Sequence, residues 1–195
     1  MASEKLITGI YGGSFNPIHN GHVAIARQML RHTDMKEVWL MVSPQNPLKT
    51  SSALLDDGLR LDMVRRAVAG VEGVTASDYE FALPRPSYTW TTLQSLCRDY
   101  PEREFALIIG ADNWKLFDRW YHASDIIATH RIFIFPRRGY SVDASLLPSG
   151  VSLVDTGLYD VSSTQVRQDV AYGDDISKLV PYEIVGLVNK YYSRR

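Results

Sequence analysis

Six short, nearly unbroken apolar runs alternate with amphipathic segments, and that alternation narrows the fold more than any other feature of the chain. The runs are Leu6–Tyr11, Val38–Val42, Val74–Ser77, Phe105–Ile109, Ile132–Phe135 and Val151–Val154. Between and after them, apolar residues recur at helical spacing over Val23–Thr33, Leu59–Ala69, Thr91–Tyr100, a broken stretch from Asn113 to Ile127, Ser163–Tyr172 and Tyr182–Tyr192. Strands that are apolar throughout, each followed by a helix, imply a parallel sheet covered on both faces. Right-handed crossovers make that sheet doubly wound, and ligands then collect beyond the carboxyl ends of its strands.

The expected fold is therefore α/β and Rossmann-like, a doubly wound parallel sheet with helices on both faces. A small helical piece over about residues 161–195 closes a single domain spanning 1–195, and 195 residues are ample for one core. The formal charge of −1 gives no global attraction to nucleic acid or to a membrane surface, so anion binding must come from local groups. No apolar stretch is long enough to span a bilayer, and the N-terminus lacks a signal-peptide pattern. The single cysteine, Cys97, cannot form an internal disulfide, which fits a reducing, cytoplasmic setting; its place near Leu93 and Leu96 predicts a buried thiol.

The segment Gly12-Gly13-Ser14-Phe15-Asn16-Pro17-Ile18-His19-Asn20-Gly21-His22 joins the first strand to the first helix. Two glycines at a sharp strand-to-loop turn suit positive φ and close approach of a ligand to the backbone. His19 and His22 lie three apart at the helix mouth, where their rings can face the same side. Unpaired N–H groups and partial positive charge at a helix start suit a phosphate. The order is neither Gly-x-Gly-x-x-Gly nor a P-loop.

Later segments supply further candidates. Lys49 is the sole cation of the loop Ser43–Ser52, just beyond a strand's carboxyl end, where a phosphate contact competes with plain solvation. The arginines of Leu59–Ala69 read as a solvated helix face, with Gly70 as C-cap. In Arg85-Pro86-Ser87-Tyr88-Thr89-Trp90-Thr91-Thr92-Leu93, Ser87, Thr89 or Thr91 is placed to cap the next helix, whose first amides equally suit a small carboxylate. Asp112, after the fourth strand and Gly110, is either a helix cap or an acceptor for ribose hydroxyls. Trp114, Phe117, Trp120 and Tyr121 pack mostly as core, with one available to face an aromatic ligand. Ser162 is a natural N-cap, which aligns Ser163, Thr164 and Arg167 as a second anion site.

These motifs resemble a known family. His19-Asn20-Gly21-His22 and Val161-Ser162-Ser163-Thr164-Gln165-Val166-Arg167 are similar to the two signatures of the nucleotidylyltransferase superfamily. Pro86–Leu93, Gly110–Trp120 and Arg137–Tyr140 resemble elements of its bacterial nicotinate-nucleotide adenylyltransferase branch, and the likeness runs in order from Gly9 to about Tyr192. The resemblance implies transfer of the adenylyl group of ATP to nicotinate mononucleotide, with no covalent intermediate. It implies His19, His22, Lys49 and Arg167 as catalytic. ATP would meet Gly12, Gly13, Ser14, Phe15, His19, His22, Lys49, Gly110, Asp112, Arg137, Ser163, Thr164 and Arg167. Nicotinate mononucleotide would meet Ser14, Asn16, Lys49, Tyr88, Thr89, Trp120 and Tyr121, with Trp120 stacked on the pyridine. No carboxylate cage is visible, so Mg2+ is expected to arrive with ATP and no protein metal site is expected. The expected partners are these two nucleotides, without nucleic acid or membrane, and a homo-oligomer is allowed. The chain departs from the family pattern at Leu48, Asn16 and Arg138, where histidine, aspartate and proline are usual. Pantetheine-phosphate or glycerol-phosphate transferases, and a nucleotide-sensing module without turnover, are the rival readings.

Overall fold

The computed structural model describes residues 5–44 and 54–193. Its strands are β1 (Leu6–Gly13), β2 (Glu37–Val42), β3 (Val74–Ser77), β4 (Arg103–Gly110), β5 (Ile132–Phe135) and β6 (Val151–Leu153). Its helices are α1 (Asn20–His32), α2 (Asp57–Val68), α3 (Thr89–Asp99), α4 (Ala111–Trp114), α5 (Ala123–Thr129), α6 (Ser163–Tyr172) and α7 (Val185–Tyr192). The strands form one sheet in the order β3-β2-β1-β4-β5-β6, with every pair parallel. That is the doubly wound arrangement expected from the apolar runs, with its order reversing between β1 and β4.

Alternation along the strands divides the core in two. Tyr11 of β1 and Ala106 and Ile108 of β4 join a cluster with α1, α2, α6 and α7. Ile10 and the β4 residues Phe105, Leu107 and Ile109 join the opposite cluster with Leu93 and Leu96 of α3 and Ile126 of α5. Side chains such as Met29, Leu40, Leu93 and Ile134 are 0 % exposed, each contributing roughly 1.5–3 kcal/mol through burial.

Several local expectations change. β1 runs two residues past Tyr11, because Gly12 and Gly13 stay in register with Met41 and Val42. Gly70 does not cap α2: the helix ends at Val68 with Ala69 as a right-handed C-cap, and Gly73 takes the positive φ, 73°. Cys97 is exposed rather than buried, since α3 turns Leu93 and Leu96 inward and leaves the thiol on its outer side, 3.6 Å from His130 Nε2. The last helix begins with a 3-10 turn, Tyr182–Ile184, after Pro181. No helix among the described residues is long and apolar enough to cross a membrane.

Candidate active site

The carboxyl ends of β1 and β4 open on a cleft of about 620 Å³ that also meets α1, α3 and α6. A second concavity of about 450 Å³ lies by Asp34 and Arg131, but there the arginine already pairs with Asp34 and Glu104.

The turn after β1 differs from the expected glycine turn. Gly12 and Gly13 take no positive φ; Phe15 does, at 43°, with its ring 2 % exposed. Phe15 is held there because its ring fills the space under Gly13, where a Cβ would come within 3.0 Å of it. A Cβ on Gly12 would meet nothing within 4 Å. Packing within the protein thus calls for a glycine at Gly13 but not at Gly12.

His19 and His22 stack with ring centroids 3.6 Å apart. The His19 amide donates to His22 Nδ1 at 3.2 Å, so the proton of a neutral His22 sits on Nε2 and makes that nitrogen a donor. The first amide of α1 is not available for an anion, because Asn20 N donates to the Leu179 carbonyl at 2.9 Å. Burial, reinforced by the Arg137 guanidinium, lowers the His19 pKa to about 3, so this ring is neutral at pH 7.

A measurable consequence follows for acid stability. In the unfolded chain a histidine titrates near 6.5 (roughly), so between that value and the folded value the unfolded state binds the extra proton. The contribution is complete above the unfolded pKa and declines as pH falls, by about 1.4 kcal/mol per pH unit. Urea unfolding at pH 6.5 and pH 5 should show wild type losing about 2 kcal/mol more than His19→Gln. Equal losses would show that His19 protonates freely in the folded protein.

The C-terminal helices are latched onto this turn. Ser162 caps α6 by accepting from Gln165 N at 3.1 Å. Ser163 Oγ donates to the Pro17 carbonyl at 2.8 Å, and Arg167 Nη1 donates to the Asn16 carbonyl at 2.6 Å. Arg167 Nη2 donates to Thr164 Oγ1 at 3.2 Å, which leaves the Thr164 proton available as a donor. Arg167 and the two histidines, distant in sequence, therefore line the same cleft. Asn16 is 4 % exposed, and its Oδ1 accepts from Leu55 N at 3.2 Å and Tyr192 O–H at 2.6 Å. An amide oxygen serves these two bonds as well as a carboxylate would.

On the other wall, Gly110 ends β4 and is α4's N-cap, so Asp112 is not a helix cap. A Cβ on Gly110 would come within 2.3 Å of Asp112 Oδ1, so the glycine is what lets this carboxylate fold back. Arg137, past β5, brings Nε to 3.8 Å from Asp112 Oδ1, while Arg138 turns outward to Asp160. Seven buried side-chain polar atoms lack a hydrogen-bond partner among the described residues, and five of them belong to cleft residues: Tyr11 Oη, His19 Nδ1, Asp112 Oδ1, Trp120 Nε1 and Arg137 Nε. Buried polar atoms are normally paired, so this concentration marks a place built for a ligand.

At the far end, α3 starts without a side-chain cap at Tyr88. None of the expected caps, Ser87, Thr89 or Thr91, fills that role: Thr89 and Thr91 lie within the helix, and Ser87 Oγ, together with Thr92 Oγ1, donates to the buried Glu80 carboxylate, each at 2.9 Å. Thr89, the first residue of α3, lines the cleft beside that tie. Phe117 is core at 2 % exposure, Trp120 packs against it at 5.0 Å, and the exposed Tyr88 and Tyr121 pair at 5.1 Å.

Three contributors were not foreseen. Glu80 falls between the sequence motifs, and Tyr11 reads only as the last residue of an apolar strand. Arg60 was read as solvated, yet it is 0 % exposed: its Nε and Nη atoms donate to the carbonyls of Leu55, Ser14, Ser43 and Pro44, and it pairs with Asp57 at 2.6 Å. Its place, one turn into α2, held the only hint, an arginine between Leu59 and Leu61. Lys49 and Leu48 lie outside the described residues.

A doubly wound parallel sheet whose switch point opens on a cleft gathering buried polar atoms without hydrogen-bond partners among the described residues has the architecture of an α/β nucleotide-binding protein. Residues 10–169 match the family described as cytidylyltransferase-like, and the chain belongs to that family. Within it, the chain is 49 % identical to "Probable nicotinate-nucleotide adenylyltransferase" of Bacteroides fragilis, over 90 % of this chain and 87 % of that protein. It is 46 % identical to the protein of the same name from Bacteroides thetaiotaomicron, over 97 % and 94 % of the two chains. The fold is shared with Plasmodium falciparum nicotinic acid mononucleotide adenylyltransferase complexed with NaAD, at TM-score 0.80 and 19 % identity over 95 % of each chain.

Proposed function

We propose that this chain transfers the adenylyl group of ATP to nicotinate mononucleotide, forming nicotinate adenine dinucleotide and pyrophosphate, a cytoplasmic step of NAD biosynthesis. The observation that carries the reading is the meeting of His19, His22 and Arg167 in one cleft, opposite Asp112 and Arg137. The similarity to the two Bacteroides proteins selects the substrate.

The mononucleotide phosphate attacks the α-phosphorus of ATP in line, a P–O bond forms, and the bond to pyrophosphate breaks. Such a transfer asks the protein for alignment and for donors aimed at growing charge. His22 Nε2–H is the donor for the α-phosphoryl oxygens, with neutral His19 stacked behind it. Arg167 keeps N–H groups beyond those held by Asn16 and Thr164, and with the Thr164 hydroxyl, the Ser163 main-chain N–H and Lys49 it takes the leaving pyrophosphate. Gly12, Gly13, Ser14 and Phe15 let the triphosphate approach the backbone, while Asp112 and Gly110 receive the ribose and Arg137 its phosphate side. Thr89 and Tyr121 amides hold the pyridine carboxylate, Trp120 stacks on the ring, and Tyr88, Ser14 and Asn16 complete that wall. Mg2+ would be held chiefly by the triphosphate oxygens, the hard ligands it prefers. When bound, it neutralises phosphate charge.

Coupled pyrophosphate release separates the alternatives. Turnover is expected with ATP and nicotinate mononucleotide, and none with phosphopantetheine. Faster turnover with nicotinamide mononucleotide than with the acid would remove the carboxylate assignment. ATP binding with no pyrophosphate from any mononucleotide would make the chain a sensing module instead.

A further inference from the structure

Tyr11 precedes Gly12 on β1, is 5 % exposed, and keeps its hydroxyl buried without a hydrogen-bond partner among the described residues. Phe15, His22 and Phe135 meet its ring at centroid distances of 6.0, 6.0 and 5.5 Å, so the hydroxyl cannot swing out to water without breaking this packing. An unpaired buried hydroxyl costs stability, and phenylalanine would fill the same packing without that cost. The charged groups that act on the phenol are Arg137 and Asp112; burial, with the Asp112 carboxylate adding to it, outweighs Arg137 and keeps the proton on the oxygen. Arg137 Nε and Asp112 Oδ1 are themselves buried without hydrogen-bond partners, 3.8 Å apart. Two unsatisfied donors and one unsatisfied acceptor complement a group with acceptor oxygens beside a hydroxyl, which is the chemistry of a ribosyl phosphate.

We infer that the Tyr11 hydroxyl binds a ribosyl-phosphate oxygen of a bound nucleotide, donating alongside Arg137 and opposite the Asp112 carboxylate. The inference rests on the adenylyl-transfer reading, in which both substrates carry a ribosyl phosphate. Tyr11 is then a substrate-binding residue drawn from the core of β1.

Tyr11→Phe removes one oxygen and leaves the ring packing intact. Free of ligand, the variant is expected to melt at the wild-type temperature or above it, because the lone hydroxyl is gone. Calorimetric binding is then measured separately with a non-hydrolysable ATP analogue and with nicotinate mononucleotide. For one of the two, Kd should rise about ten-fold in the variant, the scale of one hydrogen bond, and that ligand identifies whose ribosyl phosphate is held. Unchanged Kd for both overturns the inference, as does a lower melting temperature for the free variant, which would reveal a partner within the protein. Absence of pyrophosphate release by wild type would instead overturn the transfer reading, and the binding comparison would still decide the role of Tyr11.

Discussion

His22→Ala is expected to fold normally and to lose adenylyl transfer by about a hundred- to thousand-fold, the usual cost of removing one donor aimed at transition-state charge. The direction of the ring is what makes this effect large. With Nδ1 accepting the His19 amide, the donor must be Nε2, and the stack on His19 holds the plane of the ring. Loss should appear in kcat far more than in the KM for ATP, because the charge on the α-phosphoryl oxygens changes as the bonds exchange. Asparagine at this place restores a donor without the imidazole plane and should recover only part of the rate. A folded His22→Ala protein with near-normal kcat would remove the ring from the chemistry.

Much of the frame that positions this ring is legible in sequence. A strand apolar along its whole length has to be covered on both faces, so six such runs with helices between them determine the sheet and the side where ligands collect. The meeting of the two helix starts is not local, yet both carry their own hydroxyls and charges over short stretches of chain, which is why His19, His22 and Arg167 are readable as candidates although only the fold brings them to line one cleft. Contacts made by backbone carbonyls are what a sequence hides. Arg60 reads as solvated because charged residues on an amphipathic helix normally are; its Asp57 partner fits that reading, and its four carbonyl partners, on three segments of main chain, have no side-chain signature. The same holds for Phe15, whose positive φ follows from ring packing under Gly13 and was ascribed to the glycines. Ser87 was expected to cap α3 because a cap is local, whereas Glu80 takes its hydroxyl from outside the helix. Cys97 was misplaced because Leu93 and Leu96 mark a buried stripe that stops one position short of it.

Arg60→Met should be the most destabilising single change outside the apolar core, by about 3–5 kcal/mol, since four carbonyls each lose a charged donor at about 1 kcal/mol or more apiece. Methionine keeps most of the stem volume, so the loss reports the guanidinium and not a cavity. Asp57 would retain Arg85, at 2.9 Å, and so would not become an isolated charge. The four carbonyls at Ser14, Ser43, Pro44 and Leu55 have no such substitute, and their loss of donors carries most of the cost. Arg66→Ala on the same helix is the control: its pair with Asp62 spans one turn in solvent, with both side chains about half exposed, and should contribute under ~0.5 kcal/mol. Urea unfolding of both variants measures the contrast directly, and equal midpoints would mean that Arg60 is solvated as the helical pattern first suggested. Because one of the released carbonyls belongs to Ser14, residual folded Arg60→Met should also bind ATP more weakly, whereas Arg66→Ala should bind it as wild type does. The arginine thereby couples the stability of α2 to the shape of the phosphate turn, so a change remote from the reacting atoms reaches them through main chain alone.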